Sequence, residues 1–404
     1  MAARVVASVS RVVCRPRVSP SSSSRPRVVV VQPRRVQPRS SDDAHLHHRP
    51  KPLATAATPL ALDASLTRSI LLVGDGDLSF SLALARRAPN ARITATTFEA
   101  YDAIVKDWGG DDNATALRAL PNVEDVLHSV DATKLHTRES PLHELDGAPI
   151  NDGTSPINAP INDRKRWDRV LFTFPHIAGK GKISKNRNLL RGFFESVGAV
   201  LAPNGVVEVT LVAGQGGTPA DGVHLREYGN TWMASEQAAK GGFVLCATEL
   251  FDAESWSECG YTPTGHWRGL TSGARAFVAK EGVVHAFARP TEMPATHARC
   301  PHPVTHRRAF SIWISNEESE NSGFCELELE RVVKRAVSAG VHVASLTRME
   351  PIDWTCPSTG RRSRTYVVEL TSSTSPWDGD RATEEQFRVR EAVAAGAVPG
   401  AELR

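Results

Sequence analysis

The 404-residue chain has few of the residues that build cross-linked or metal-bound scaffolds. Its six cysteines (Cys14, Cys246, Cys259, Cys300, Cys325, Cys356) are scattered, with no Cys-x-x-Cys pair and no compact Cys/His cluster. That spacing argues against a zinc site and against a disulfide framework, so reduced thiols and no metal are expected. No apolar run reaches the length of a membrane span, and no membrane partner is expected. With a formal net charge of only +3, any basic surface must be local. Acidic residues are missing altogether from residues 1–41, a stretch that holds nine arginines and a serine run at 21–24. Arg-rich, Ser-rich and acid-poor is the composition of an organelle transit peptide, for chloroplast or mitochondrion. The alternative is a disordered basic tail on a cytoplasmic or nucleolar protein. Residues 42–68, with His45, His47 and His48, read as linker.

From residue 69 onward strand and helix signals alternate. Apolar runs at 70–73, 92–97, 123–130, 169–174 and 206–212 predict strands, and 243–250 and 282–287 are further candidates. Helical spacing appears at 78–87 and 114–120, and most clearly in Leu189, Leu190, Phe193, Phe194, Val197 and Leu201. Pro203-Asn204-Gly205 is expected to end that last helix. Strands separated by helices predict an α/β, Rossmann-like, doubly wound sheet over 69–290. Between 134 and 166 the segment 148–152 is repeated at 159–163 in a Pro/Asn/Asp-rich stretch, which reads as a surface loop. Prolines at 290, 294, 301 and 303 mark a linker over 291–307. Beyond it, 308–404 follows the order β-α-β-β-α, which suits a small ferredoxin-like α+β domain.

The sequence Gly74-Asp75-Gly76-Asp77-Leu78-Ser79 leaves the first strand and opens a helix. Two glycines permit a tight turn and close approach of the backbone to a ligand. A dinucleotide fingerprint wants a third glycine where Ser79 stands, and Asp75 and Asp77 are poor neighbours for pyrophosphate. They suit the cationic amino and sulfonium groups of S-adenosylmethionine better. Glu99 follows the second strand, where an acid can accept hydrogen bonds from ribose hydroxyls. Asp131 either meets the adenine amino group or caps a helix. Thr173-Phe174-Pro175-His176 lies at the carboxyl end of the fourth strand, where open α/β sheets bind ligands. These placements favour methyl transfer over hydride transfer.

The segments ILLVGDGDLSFSLALA, ITATTFEA, VLHSVDATKL, WDRVLFTFPH, KNRNLLRGFF and LAPNGVVEVTL follow one another in the chain. Together they resemble the eukaryotic 25S ribosomal RNA uridine-N3 methyltransferase-like family over about residues 69–288. GQGGTPAD, REYGNTW and GYTPTGHWRG resemble the branch fused to a ferredoxin-fold anticodon-binding domain. FSIWIS, CPSTGRRSRTYVVEL, EEQFRVREAV and GAELR are similar to the domain that ends phenylalanyl-tRNA synthetases. Thr173 departs from the family pattern, which usually has Asn before Phe-Pro-His.

The resemblance implies an S-adenosylmethionine-dependent RNA methyltransferase, on ribosomal RNA foremost and transfer RNA as the alternative. Gly74, Asp75, Gly76, Ser79, Glu99 and Asp131 are the expected cofactor contacts. Thr173 and Phe174 are expected to line the base pocket. His176 is either the base that takes the N3 proton or a packed loop histidine. Lys182, Lys185 and Arg187, in a run with Lys180 and Arg191, are either phosphate contacts or a solvated helix face. In the rear domain Arg361, Arg362 and Arg364 are expected to bind RNA, with Arg390 and Arg404 as further candidates. Gln215-Gly216-Gly217 is either a mobile lid or an ordinary turn. A non-catalytic RNA-binding or assembly protein with a degenerate methyltransferase fold is the alternative from another class.

Overall fold

Ile70, Leu71 and Leu72 form an unbroken apolar run, the pattern of a strand covered on both faces. They belong to β1 (Ser69–Leu72), every residue of which is buried. The structure, a computed structural model, describes residues 69–108, 110–145, 165–177, 182–263, 281–290, 299–315, 323–350 and 353–404. The leader, the linker at 42–68, the 148–163 repeat and Lys180 lie outside the described residues.

Around β1 stand β2 (Arg92–Thr96), β3 (Val123–Leu127), β4 (Trp167–Thr173), β5 (Leu201–Val212), β6 (Val244–Leu250) and β7 (Gly282–Ala288). They form one seven-stranded sheet in the order β3-β2-β1-β4-β5-β7-β6. β1 to β5 run parallel, and β7 is antiparallel to both β5 and β6. The connections are α1 (Ser79–Arg87), α2 (Tyr101–Ala103), α3 (Asp111–Arg118), α4 (Ile183–Val197), α5 (Ala234–Lys240) and α6 (Ala253–Glu258). Strand order reverses between β1 and β4, so the ligand crevice of an open sheet lies beyond their carboxyl ends.

The periodic apolar face of α4 packs against the sheet. Leu190, Phe193, Phe194 and Val197 are fully buried. The Phe193 ring lies 4.8 Å from Phe172 of β4, and Phe194 lies 4.8 Å from Phe287 of β7. Each such burial contributes about 1.5–3 kcal/mol. The expectation that residues 203–205 end this helix is corrected. α4 stops at Val197, and Trp167 pairs with Leu201 while Arg169 pairs with Val206. The intervening residues bulge out of β5 with Asn204 at φ 60°, because Pro203 has no N–H to give the ladder.

The second sheet contains β8 (Thr305–Ile314), β9 (Val341–Arg348), β10 (Trp354–Thr355), β11 (Arg362–Ser372) and β12 (Ala401–Leu403), with α7 (Glu326–Ala336) and α8 (Gly379–Ala394) between them. β12 pairs β8, β8 pairs β11, and β11 pairs β9, with β10 extending the same edge. This is the ferredoxin-like βαββαβ arrangement. Phe310, Ile312 and Ile314 alternate toward a core closed by Leu329, Val333, Ala382 and Val389 of the two helices. α5 meets this unit through Lys240, which pairs with Asp378 at 2.9 Å and with Asp380.

Candidate functional site

The glycine turn sits directly above β1. Gly74 has φ 70°, and a Cβ there would come 3.1 Å from the Phe172 ring of β4. A Cβ at Gly76 would meet nothing within 4 Å. The turn is pinned from beside it: the Asp75 N–H donates to the Thr96 carbonyl at 2.9 Å, and the Gly74 N–H to Thr96 Oγ1 at 3.4 Å. The backbone is thus held close under open space, which is the form a ligand cradle takes.

Both acids of the turn serve the first turn of α1. Asp75 Oδ2 accepts from Ser81 N–H at 2.7 Å and from Ser81 Oγ at 2.6 Å. Asp77 Oδ1 accepts from Ser79 N–H at 3.1 Å and from Ser79 Oγ at 2.8 Å. Burial, with the charge of Asp77 second, pushes the Asp75 carboxyl up to about 7. Burial also raises Asp77. Asp77 is buried, whereas Asp75 remains partly open. Ser79 is buried as well, its hydroxyl oxygen accepting from the Thr262 N–H at 3.2 Å, so it is spent on the helix start.

Glu99 follows β2, with its carbonyl accepting from Thr97 Oγ1 at 2.7 Å and from Ser129 N–H at 3.1 Å. His128 sits beside it, bonded to Thr97 Oγ1 at 2.9 Å. Asp131 caps a 3₁₀ turn, accepting from Thr133 N–H at 2.9 Å and Thr133 Oγ1 at 2.7 Å. That resolves its local role as a cap.

At the end of β4 the chain divides the expected pocket residues. Phe174, Pro175 and His176 line a cavity of about 240 Å³ together with Ile183, Asn186, Gln215 and Trp232. Thr173 does not join them. It shares its sheet face with Arg169 and Leu171, by strand alternation, and lines a separate cavity of about 470 Å³ with Glu208 and Thr210. A buried Arg169–Glu208 ion pair lies in that second cavity. Phe174 turns at φ 50°, and its ring meets Phe251 edge-on at 5.2 Å. The expectation that Thr173 and Phe174 form one wall is corrected by this change of face.

The Gln215-Gly216-Gly217 segment is a pinned turn. The Trp232 N–H donates to the Gln215 carbonyl at 2.7 Å, and the Ala234 N–H to that of Gly216 at 3.1 Å. A Cβ on Gly216 would strike His285 Nε2 at 2.2 Å, so only glycine packs over that buried ring. Asn186 and Trp232 escape sequence reading because the cavity draws on three loops that only strand order brings together.

The expected RNA contacts separate in the same way. Lys182 and Lys185 are exposed at the amino end of α4, whose first turn carries no acid. Arg187 is instead a clamp: its Nε donates to the Thr231 carbonyl at 2.9 Å and a terminal nitrogen to that of Gly229 at 2.7 Å. Arg364 is buried against Asp353, donating from Nε at 2.7 Å, on the helix side of β11. Arg362 is half-buried in β11. Arg361 is exposed, pairs with Glu402, and lies 4.9 Å from the Trp313 ring centre. Arg404 lies 5.1 Å from Trp313 and 4.2 Å from Trp354. Among the described residues no group of three or more His, Cys, Asp or Glu is placed to hold a metal ion.

Comparison with known proteins gives a family match over residues 71–265, to the model described as BMT5-like, rRNA (uridine-N3-)-methyltransferase BTM5-like. A mouse protein, ferredoxin-fold anticodon-binding domain-containing protein 1 homolog, is 39% identical over 202 residues, 50% of this chain and 28% of its own length. Its human namesake is 31% identical over 266 residues, covering 64% of this chain and 37% of its own. The chain therefore spans well under half the length of these two curated relatives. The heavy metal-associated isoprenylated plant protein 41 of Arabidopsis thaliana is 34% identical over 154 residues, 36% of this chain and 25% of its own. Over residues 71–265, the chain is thus similar to the BMT5-like family.

Proposed function

We propose that this protein transfers a methyl group from S-adenosylmethionine to N3 of a uridine in RNA, ribosomal RNA foremost, and that its ferredoxin-like unit holds the RNA. The observation that carries the reading is the cavity beside His176 at the carboxyl ends of β4 and β5, in a sheet whose strand order reverses between β1 and the neighbouring β4. The residues present suit the cofactor: a glycine backbone under open space, the Asp75 carboxyl beside it for a cationic group, and Glu99 beyond β2 for ribose hydroxyls. When bound, S-adenosylmethionine supplies an electrophilic methyl and leaves as the neutral thioether. The chain's own residues hold the base in line, exclude water and receive the proton. The N3–H proton passes to the His176 ring as N3 gains the methyl, so charge balances without a further reagent. Lys182 and Lys185 oppose the dipole of α4 at its amino end, an arrangement that a neighbouring phosphate offsets.

Titration with S-adenosylmethionine across pH tests the cofactor claim. Burial pushes the Asp75 carboxyl up to about 7. Its raised value means the folded protein holds this proton more tightly than the unfolded chain. Stability through this group is therefore full below about 4 and is lost as pH rises toward about 7. A cation at Asp75 needs the carboxylate, so cofactor binding at pH 6 releases a proton and affinity climbs as pH rises to 7. Calorimetry in two buffers of different ionisation enthalpy reads the proton. No binding at any pH points to the non-catalytic alternative.

The outer face of the second sheet supplies the RNA platform in this reading. Trp354 is 44% exposed, its ring 6.0 Å from Trp313, with Arg404 lying over both and Arg361 over Trp313. Unpaired bases stack on such rings and guanidinium planes. Trp354→Ala is expected to weaken binding of a labelled single-stranded RNA by about 1–3 kcal/mol. Cofactor affinity stays unchanged. Unaltered RNA anisotropy in the variant contradicts the platform.

A further inference from the structure

We infer that Asn186 and Gln215 select the target base, by offering only hydrogen-bond donors to it, and so favour a base with carbonyl oxygens on both sides of the reacting nitrogen. The inference rests on the reading of the His176 cavity as the seat of that base.

Both side chains line the cavity. Each is oriented by a backbone N–H, a group that can only donate. The Ile177 N–H donates to Asn186 Oδ1 at 3.2 Å. The Val212 N–H donates to Gln215 Oε1 at 3.3 Å. An amide whose oxygen must face a backbone donor has its NH₂ at the other end. The orientation follows from the network, which is how amide ends are properly assigned. Asn186 is 4% exposed, and its NH₂ has no partner among the described residues. Arg226, exposed at the rim, can also only donate. The counter-example is Asn230, also on the exposed rim, whose NH₂ is spent on Glu227 Oε2 at 3.1 Å, which leaves its oxygen as an acceptor. The inner wall therefore presents two NH₂ groups.

In uracil the two carbonyls flank N3, and each accepts one of these donors. Cytosine and adenine place an amino group beside the corresponding ring nitrogen. An amino group set against an amide NH₂ leaves both donors unpaired, and sites built on a hydrogen bond reject such analogues strongly. On the inner wall the donor pair leaves the proton of N3 to His176, which lines the same cavity.

Isosteric exchanges separate recognition from structure. Gln215→Glu and Asn186→Asp keep an acceptor for the backbone N–H but turn the second position from donor into acceptor. Gln215→Met deletes both. The assay measures initial rates of labelled methyl transfer into total RNA from cells lacking the gene, with nucleosides resolved by mass spectrometry. Cofactor Kd and melting temperature are measured in parallel. The expected result is a fall in 3-methyluridine formation of at least about tenfold for Gln215→Glu and for Asn186→Asp. Their cofactor affinity stays within about twofold of wild type, and Gln215→Met is no worse than Gln215→Glu. Wild-type uridine rates in both isosteric variants, or a Gln215→Met loss far beyond that of Gln215→Glu, overturn the inference while leaving the methyltransferase reading intact. A wild-type protein that methylates cytidine or adenosine overturns both.

Discussion

Gly76→Arg is expected to raise the S-adenosylmethionine Kd by more than about a hundredfold, or about 2.7 kcal/mol, while the protein stays folded. The two glycines of the turn differ in what they permit. Gly74 combines φ 70° with a 3.1 Å approach to Phe172, so any side chain there strains the fold before it touches a ligand. At Gly76 the φ is ordinary and the space is open. A side chain there costs the fold little and extends from the turn into open space. The change also puts a cation beside the place where the reading needs a sulfonium, next to Asp75. Calorimetric titration and a melting curve on the same sample separate the two effects. Undiminished cofactor affinity in a folded Gly76→Arg protein contradicts the placement of the cofactor.

His176→Ala is expected to lower kcat by about 10²–10⁴-fold without changing cofactor affinity, the usual range for loss of a positioned general base. Uracil N3–H is a weak acid and methylates only as its proton leaves. In the variant that proton must reach water directly, so the rate recovers as pH rises and the gap to wild type narrows. A packed loop histidine predicts otherwise: its removal lowers the melting temperature and shifts rate and cofactor affinity together at every pH. Single-turnover rates between pH 7 and 9.5 distinguish the two.

The strands around the crevice were legible because each is a short apolar run, and α4 because its apolar residues recur at helical spacing. Residues 203–205 misled because the same Pro-Asn-Gly chemistry serves a helix stop and a strand bulge. α5 and β12 are seven and three residues long, too short to carry a period. Within the site, Asp75 and Asp77 stand in the turn before α1, bonded to Ser81 and Ser79. Capping and ligand binding want the same residue type at the same position, so sequence does not separate them. Arg364, expected to bind RNA, is buried, and the sequence carries a signal for it: it shares alternation parity with Tyr366, Val368 and Leu370, all buried. Arg187 gave no such sign, since its carbonyl partners lie more than forty residues away. Asn186, Gln215 and His176 come from α4, the turn after β5 and the end of β4, and only the pairing of β4 with β5 joins them.

The most direct test of the central claim is mass spectrometry of RNA after incubation with the protein and trideuteromethyl S-adenosylmethionine, using RNA from cells lacking the gene. The account predicts trideuterated 3-methyluridine in the RNA, made by wild type and missing with Gly76→Arg. Cofactor binding without any deuterated nucleoside, or label in a base other than uridine, would contradict it.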